Sequence, residues 1–320
     1  MKKYLTLLIF LLIFHSTNAQ NEYVLVIHGG AGNILVEQMD RVQIEEYNLK
    51  LKEALAAGES ILATGGKSLD AVIAAVRVLE DSPLFNAGKG AVYNAEGKHE
   101  LDASIMDGQT GKAGAVAGTS TIKNPILAAR LAMDSSAHVL LSGKGADQFA
   151  KSHGLEMVEN SYFDSDKAEK EYKRIKEKLD TEGRKGTVGA VALDIHGNLA
   201  AATSTGGMTF KQWGRIGDSP IIGAGTYANN QTCAVSCTGH GEYFIRNSVA
   251  YDVSARMLYL KETVDQAANF IINSKLVEQG GTGGLIAVDK DGNISMPFNT
   301  KGMFRGYIKQ GQKAEVLISK

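Results

Sequence analysis

The sequence predicts an α/β protein of four layers, an αββα sandwich in which two stacked β-sheets are covered by helices on both sides. The first observation is a β-hairpin pattern that occurs twice in the second half of the chain. The second is a set of amphipathic helical patterns that lie before and between the two hairpins. With 44% hydrophobic residues among 320, the chain can fill the core between such layers.

The two hairpins are related by an internal repeat, in which Thr187 corresponds to Thr282, 95 positions later. The first copy spans 186–208 and the second spans 281–303. In each copy an apolar strand meets a Gly-Asn turn and a second strand returns. This order of patterns is typical of a β-hairpin.

The other elements follow from the periodicity of the apolar residues. Ser68 is the expected N-cap of the second helix, and Pro125 is expected in the first turn of the third. The glycine loop at 28–32 lacks the third glycine of a dinucleotide-binding fingerprint, so nucleotide binding is not predicted. Strands are predicted at 23–27, 100–106 and 113–121, and helices at 44–63, 68–79, 124–133, 241–260 and 263–279.

The N-terminal residues 1–19 have the layout of a secretory signal peptide. Lys2 and Lys3 precede an apolar run at 5–14, and small residues follow at 17–19. The alternative is a retained N-terminal anchor. We therefore predict a periplasmic or secreted location.

The charge balance bears on the class of partner, and the spacing of the two cysteines bears on disulfide formation. The chain has 34 basic and 35 acidic residues, so neither nucleic acid nor, once the signal is removed, a membrane is favoured. Cys233 and Cys237 lie four positions apart in a strand pattern, a span of about 13 Å. Bridged Cα atoms are rarely more than about 7 Å apart, so two unpaired thiols are predicted.

The segment 164–185 is rich in Lys, Glu, Asp and Arg and is followed by the step from Gly186 to Thr187. Such a segment forms either an exposed helix or a mobile linker, and the step indicates a cleavage site. Cleavage would give Thr187 a free α-amine beside its own hydroxyl, so one residue would supply both nucleophile and base. A terminal amine has a pKa of about 7.7–8.0 and is partly free base near neutral pH. The alternative is that the pair simply begins a strand.

This interpretation divides the chain into an α chain, 20–186, and a β chain, 187–320, which together form one αββα domain. Thr282 occupies the repeat position of Thr187 but follows two glycines instead of a charged segment. Thr187 is therefore the better candidate for the nucleophile.

Three groups downstream of Thr187 could complete a site. Thr203 and Thr205 end the returning strand, although threonines are common in strands. Arg215 and Asp218 share a glycine-rich loop and could hold a carboxylate and an ammonium, or could form a surface ion pair. The segment 238–241 could stabilise an oxyanion, or could be only a helix entry turn. No histidine is assigned to catalysis.

Taken together, these motifs make the chain similar to the plant-type L-asparaginase and isoaspartyl peptidase family of N-terminal-nucleophile hydrolases. The resemblance covers nearly the whole chain after residue 19. It rests on the motifs at 28–32, 84–88, 186–189, 203–207, 214–220 and 238–242.

The resemblance implies an αββα hydrolase that cleaves itself before Thr187 and pairs as a dimer of αβ heterodimers. Its substrate would be L-asparagine or a dipeptide with a free β-aspartyl head. No catalytic cofactor is expected. The alternatives are a glycosylasparaginase or, from another class, a solute-binding protein that holds an amino acid. The resemblance implies that Thr187 is the nucleophile, that Thr205 supports its hydroxyl, and that Thr238 and Gly239 form the oxyanion hole. It implies substrate binding by four residues, Arg215, Asp218, Gly241 and Asn86. It also implies a structural sodium ion held by the backbone carbonyls of Leu79, Glu80, Ser82, Phe85, Ala87 and Lys89.

Overall fold

The computed structural model describes residues 22–178 and 186–319. Its helices are α1 Arg41–Leu62, α2 Ser68–Glu80, α3 Pro125–Ser135, α4 Gly143–Ser152, α5 Asp166–Lys178, α6 Gly241–Asn247, α7 Val249–Ala255, α8 Val264–Phe270 and α9 Leu276–Glu278. Its strands are β1 Val24–Gly32, β2 Leu101–Asp107, β3 Ala113–Thr119, β4 Leu140–Ser142, β5 Val188–Leu193, β6 Leu199–Thr205, β7 Thr226–Ala228, β8 Cys233–Gly239, β9 Gly283–Asp289, β10 Ile294–Ser295, β11 Gly302–Lys309 and β12 Glu315–Leu317.

The strands form two sheets. The larger has the order β12-β11-β1-β5-β6-β2-β3-β4 and the smaller the order β10-β9-β8-β7. Pairing is antiparallel throughout both sheets except between β3 and β4, which run parallel. Helices α1, α2 and α3 pack on the outer face of the larger sheet, and α7 and α8 on that of the smaller. The predicted αββα architecture is confirmed.

Alternation along the strands separates three apolar layers. On β5, Val188 and Ala190 pack with the helices of the larger sheet, whereas Val191 faces the smaller sheet. On β8, Ala234 faces the larger sheet, and Val235 faces the outer helices. Successive strand residues point to opposite faces, so one strand supplies two layers.

The internal repeat is real in three dimensions. Asp194 accepts hydrogen bonds from the backbone amides of His196 and Asn198, each 3.0 Å long. In the second hairpin Asp289 plays the same part, accepting from the amides at positions 291 and 293 at 2.9 and 2.8 Å. The first hairpin belongs to the larger sheet and the second to the smaller. The two copies thus contribute their hairpins to different sheets of the stacked pair.

Two helix predictions differ from the structure. The second helix begins at Ser68 itself, and Lys67 is the N-cap residue, without a side-chain cap. The predicted helix 241–260 is interrupted at Ser248, whose φ of 47° is left-handed and ends α6. Beyond that point a wider π turn occupies Arg256–Leu260. The predicted helix 263–279 is present as an unbroken helical run from Val264 to Glu278, with a π turn at Ile271–Lys275.

The structure tests the prediction for the cysteines but not the one for the signal peptide. Cys233 and Cys237 are free and buried, as predicted. The predicted signal peptide and the end of the charged segment, 179–185, lie outside the described residues. Among the helices of 22–178 and 186–319, none is long and apolar enough to cross a membrane.

Candidate active site

Thr187 lies immediately before β5 in a pocket formed by the first hairpin, the 207–219 loop and the end of β8. Its side chain is buried, with 6% of the residue exposed. The pocket is lined by Gly186, Thr187, Thr205, Gly207, Met208, Arg215, Gly217, Asp218, Ser219, Gly239 and His240. Thr282, its counterpart in the repeat, is exposed and lines no part of this pocket. The structure therefore favours Thr187 over Thr282.

The carbonyl of Gly186 is held by two hydrogen-bond donors. Asn86 donates to it through Nδ2 at 2.9 Å, and Thr205 donates through Oγ1 at 3.0 Å. Thr187 in turn donates its hydroxyl to Thr205 Oγ1 at 3.1 Å, and the amide of Gly207 donates to the same oxygen at 3.0 Å. The peptide bond before Thr187 is thus polarised beside a threonine hydroxyl.

Asn86 lies beside Gly186, outside the lining of the pocket. Its second amide hydrogen is donated to the carbonyl of Gly207 at 2.7 Å, and its Oδ1 accepts from the amide of Val92 at 3.0 Å. In the continuous chain all these contacts are with backbone groups, and Asn86 does not line the pocket. The structure places it against the Gly186–Thr187 peptide.

Arg215 lines the pocket but has a partner within the chain. Its Nε and Nη2 each donate to a carboxylate oxygen of Glu242, at 2.9 Å. These hydrogen bonds are the main reason why the pKa of Glu242 falls to about 2. His240 Nε2 lies 3.2 Å from the same carboxylate. Glu242 thus takes the edge of the guanidinium formed by Nε and Nη2, and Nη1 lies on the side of Gly217, which lines the pocket.

Asp218 is buried beside this guanidinium. Its Oδ2 is one of three buried side-chain atoms without a hydrogen-bond partner among the described residues. Burial raises its pKa to about 7, and the charge of Arg215 opposes this rise only in part. A buried carboxylate oxygen without a hydrogen-bond donor is costly, and a cationic ligand would offset that cost.

Two glycines allow Arg215 and Asp218 to approach. A Cβ at Gly241 would lie 2.8 Å from Arg215 Nη2 and 2.9 Å from Asp218 Oδ1. At Gly217 it would lie 2.8 Å from Arg215 Nη1. Gly241 thus makes room for the charged pair, and its role at the substrate carboxylate stays a prediction.

The predicted oxyanion residues lie at the end of β8. Gly239 lines the pocket, and a Cβ there would meet the carbonyl oxygen of Thr282 at 2.5 Å. Thr238 is fully buried, and its Oγ1 accepts from the amide of Ala31 at 3.2 Å. Of the two strand threonines, Thr205 reaches Thr187, whereas Thr203 is directed to Ser236 at 2.7 Å.

The predicted sodium loop folds tightly on itself. A Cβ at Gly88 would lie 2.3 Å from the Glu80 carbonyl oxygen, and one at Gly90 would lie 2.0 Å from that of Phe85. Each glycine thus lets the backbone lie directly against a carbonyl group of the loop. Carbonyl oxygens are donors that suit a hard cation. The other predicted carbonyl ligands are those of Leu79, Ser82, Ala87 and Lys89. The sodium ion stays a prediction.

Two residues near the site were not assigned from the sequence. His28 lies with Nδ1 3.0 Å from the carbonyl oxygen of Thr187, and burial lowers its pKa to about 3. Glu242 was only part of a motif. Its pairing with Arg215 spans 27 positions, so no local pattern could reveal it.

The αββα architecture, with a buried threonine at the start of a central strand, defines the class of N-terminal-nucleophile hydrolases. The family model described as asparaginase matches residues 21–318. The chain therefore belongs to the asparaginase family, whose members are amidohydrolases of this class.

Individual relatives agree with the family match. The chain is 50% identical over 295 residues to the isoaspartyl peptidase of Escherichia coli, covering 89% of this chain and 92% of that protein. It is 50% identical over 298 residues to the isoaspartyl peptidase of Salmonella typhimurium, covering 90% and 95%. It is 40% identical over 297 residues to the isoaspartyl peptidase/L-asparaginase of Rattus norvegicus, covering 90% and 87%.

The predicted periplasmic or secreted location is wrong. The relatives from E. coli, Salmonella and rat are named as isoaspartyl peptidases, with no reference to export. The prediction depended on the composition of residues 1–19 alone, and these precede the family match. A short apolar run after two lysines is too weak a pattern to establish where a protein resides.

Proposed function

We propose that the protein is an isoaspartyl peptidase and L-asparaginase that cleaves itself between Gly186 and Thr187 and then uses Thr187 as its nucleophile. The single observation that carries this proposal is the Gly186 carbonyl, held by Asn86 and Thr205 beside the Thr187 hydroxyl. The names of the relatives support the substrate class.

Self-cleavage begins when the Thr187 hydroxyl oxygen attacks the Gly186 carbonyl carbon, and the hydroxyl proton passes by way of Thr205 or solvent to the Thr187 nitrogen as that nitrogen leaves the carbon. Negative charge then develops on the Gly186 oxygen, where Asn86 and Thr205 donate hydrogen bonds. Breaking the C–N bond gives an ester and a free amine on Thr187. Water hydrolyses the ester, which leaves Gly186 with a carboxylate and restores the hydroxyl.

Substrate hydrolysis reuses the same hydroxyl, with the new amine as the base. Thr187 attacks the side-chain carbonyl of a β-aspartyl group, and ammonia or an amino acid leaves. Water then releases aspartate from the acyl-enzyme. In this mechanism Thr238 and Gly239 stabilise the oxyanion.

The charged pair selects the aspartyl head. Asp218 takes the α-ammonium, for which its unpartnered buried oxygen is suited. Arg215 takes the α-carboxylate on the Nη1 side, while Glu242 fixes the orientation of the guanidinium. Pairing into a dimer of αβ heterodimers, with the α chain ending at 186 and the β chain beginning at 187, stays a prediction.

The test is hydrolysis of a β-aspartyl dipeptide by wild type and by Thr187→Ala. Wild type should release aspartate, and Thr187→Ala should neither self-cleave nor hydrolyse, because one hydroxyl serves both reactions. Thr282→Ala is the matched control from the repeat and should do both. Turnover by Thr187→Ala at the wild-type rate would refute the proposal.

A further inference from the structure

A continuous row of buried polar side chains lies between the two sheets and leads away from Thr187. His28 Nε2 is 2.9 Å from Ser236 Oγ, and Ser236 Oγ is 2.7 Å from Thr203 Oγ1. Thr226 Oγ1 follows at 2.6 Å from Thr203, and Ser104 Oγ at 2.7 Å from Thr226. All five residues are 0% exposed.

The row continues the apolar layer between the sheets. On β1 the residue two before His28 is Val26, and on β8 the residue two before Ser236 is Ala234, both in that layer. Because strand side chains alternate, residues two apart share a face. The polar row therefore replaces apolar packing close to the active site, where unsatisfied polar groups would be costly.

The ends of the row are two carbonyl oxygens, which only accept hydrogen bonds. At one end His28 Nδ1 is 3.0 Å from the carbonyl oxygen of Thr187, so Nδ1 carries the hydrogen. Burial keeps the imidazole neutral, so Nε2 is bare and accepts from Ser236. At the other end Ser104 Oγ is 2.6 Å from the carbonyl oxygen of Ser219, the neighbour of Asp218.

These constraints orient the hydroxyl groups. Ser236 gives its only hydrogen to His28, so it accepts from Thr203, and Thr203 accepts from Thr226. Thr203 is also 3.2 Å from the carbonyl oxygen of Gly225, but its contact with Ser236 is the shorter. Ser104 shares its hydrogen between Thr226 and the Ser219 carbonyl.

Gly189 shows that the junction of His28 and Ser236 is specifically accommodated. A Cβ at position 189 would lie 2.0 Å from Ser236 Oγ and 2.5 Å from His28 Nε2. Both are compact groups close to their backbones, so the clash could not be relieved cheaply. The glycine two residues after Thr187 is thus required by this hydrogen bond.

We propose that His28 and Ser236, with Thr203, Thr226 and Ser104 behind them, form a relay that positions Thr187 through its carbonyl group. The relay also links Thr187 to the loop that carries Asp218. These five are positioning residues, since none lines the pocket. The proposal rests on the function proposed above, because it assigns the relay to the Thr187 reactions.

Ser236→Ala in the full-length protein tests the relay. It should lower kcat for a β-aspartyl dipeptide by about 10-fold to 100-fold, the size of effect expected from a nucleophile misplaced by about 1 Å. KM should change by less than about threefold, because Arg215 and Asp218 are untouched. Self-cleavage should slow in parallel.

Ser254→Ala is the matched control. Ser254 is also a buried serine, and its Oγ lies 2.6 Å from Thr232 Oγ1. Thr232 immediately precedes β8, at the end of that strand away from the site. Ser254→Ala should lose about as much thermal stability as Ser236→Ala but should keep the wild-type kcat. Equal kcat in the two variants would overturn the positioning role.

A spectroscopic readout is independent of substrate. In ¹⁵N-histidine NMR of wild type, His28 should be a neutral Nδ1–H tautomer that does not titrate between about pH 5 and 8. Ser236→Ala should keep the Nδ1–H tautomer, which the Thr187 carbonyl fixes, but should shift the Nε2 resonance because that nitrogen loses its hydrogen bond, and Ser254→Ala should leave the resonance unchanged. An Nε2–H tautomer in wild type would overturn the proposal.

The relay can still be tested if Ser236→Ala does not fold or if the wild-type protein has no β-aspartyl activity. If Ser236→Ala does not fold, Ser236→Cys keeps a weak donor, and its kcat should lie below wild type; wild-type kcat would overturn the relay. If wild type cleaves no β-aspartyl substrate, the proposed function fails, whereas the tautomer and self-cleavage measurements still decide the relay.

Discussion

Asp218→Asn should stabilise the protein while it abolishes substrate binding. The side chain is fully buried, and burial raises its pKa from 3.8 to about 7. The ionised carboxylate is therefore disfavoured in the folded state. At a pH above both values this rise corresponds to roughly 4 kcal/mol, since one pKa unit is about 1.4 kcal/mol. Asparagine has nearly the same shape and carries no charge.

The stabilisation by Asp218→Asn should increase with pH. Between about pH 4 and 7 the folded protein holds a proton on Asp218 that the unfolded chain has lost, so the free energy of unfolding falls as pH rises. The gain from Asp218→Asn should therefore be up to about 4 kcal/mol at pH 8 and less than about 2 kcal/mol at pH 5. Other buried carboxyls, such as Glu80, contribute equally to both proteins and cancel.

The assay is urea unfolding at both pH values, in a Thr187→Ala background that keeps one continuous chain. Kinetics on a β-aspartyl dipeptide are measured in the Asp218→Asn single variant, which should lose the ammonium contact and nearly all turnover. An Asp218→Asn stability change that is the same at pH 5 and 8, or wild-type kinetics, would refute this account of Asp218.

Three further changes test separate parts of the site. Arg215→Ala should lower the hydrolysis of β-aspartyl dipeptides at least about tenfold. Self-cleavage should continue in this variant, since that step involves no free aspartyl head. The wild-type enzyme should not cleave α-aspartyl dipeptides. Parallel loss of both reactions, read by gel and aspartate release, would assign Arg215 to the fold. Glu242→Gln should raise KM more than it lowers kcat, which steady-state kinetics would show, because the guanidinium loses a charged partner. Asn86→Leu should slow the appearance of the two fragments about 100-fold in a gel time course, because one donor to the Gly186 carbonyl is removed; an unchanged rate would contradict that role.

Local patterns predicted the layers of the fold because they repeat within the chain. The Gly-Asn turns, apolar strands and amphipathic helices each lie within a short window, and the repeat from Thr187 to Thr282 gave the two hairpins. The break at Ser248 could not be predicted. It depends on a left-handed residue inside a pattern that is helical on both sides.

The site was predicted where its residues form short motifs and missed where distant strands meet. Arg215 and Asp218 share one loop, and Thr205 ends the strand next to Thr187. The contact of His28 with Ser236 instead spans 208 positions and depends on the stacking of the two sheets. The sequence suggested Asn86 only through a resemblance, and the structure shows that its amide donates to the Gly186 carbonyl.

Intact-mass and N-terminal analysis of the purified protein tests the central claim most directly. The wild-type protein should give two fragments, the second beginning with Thr187, and Thr187→Ala should give a single uncut chain. A wild-type chain that stays whole after long incubation, or a break at another position, would contradict it.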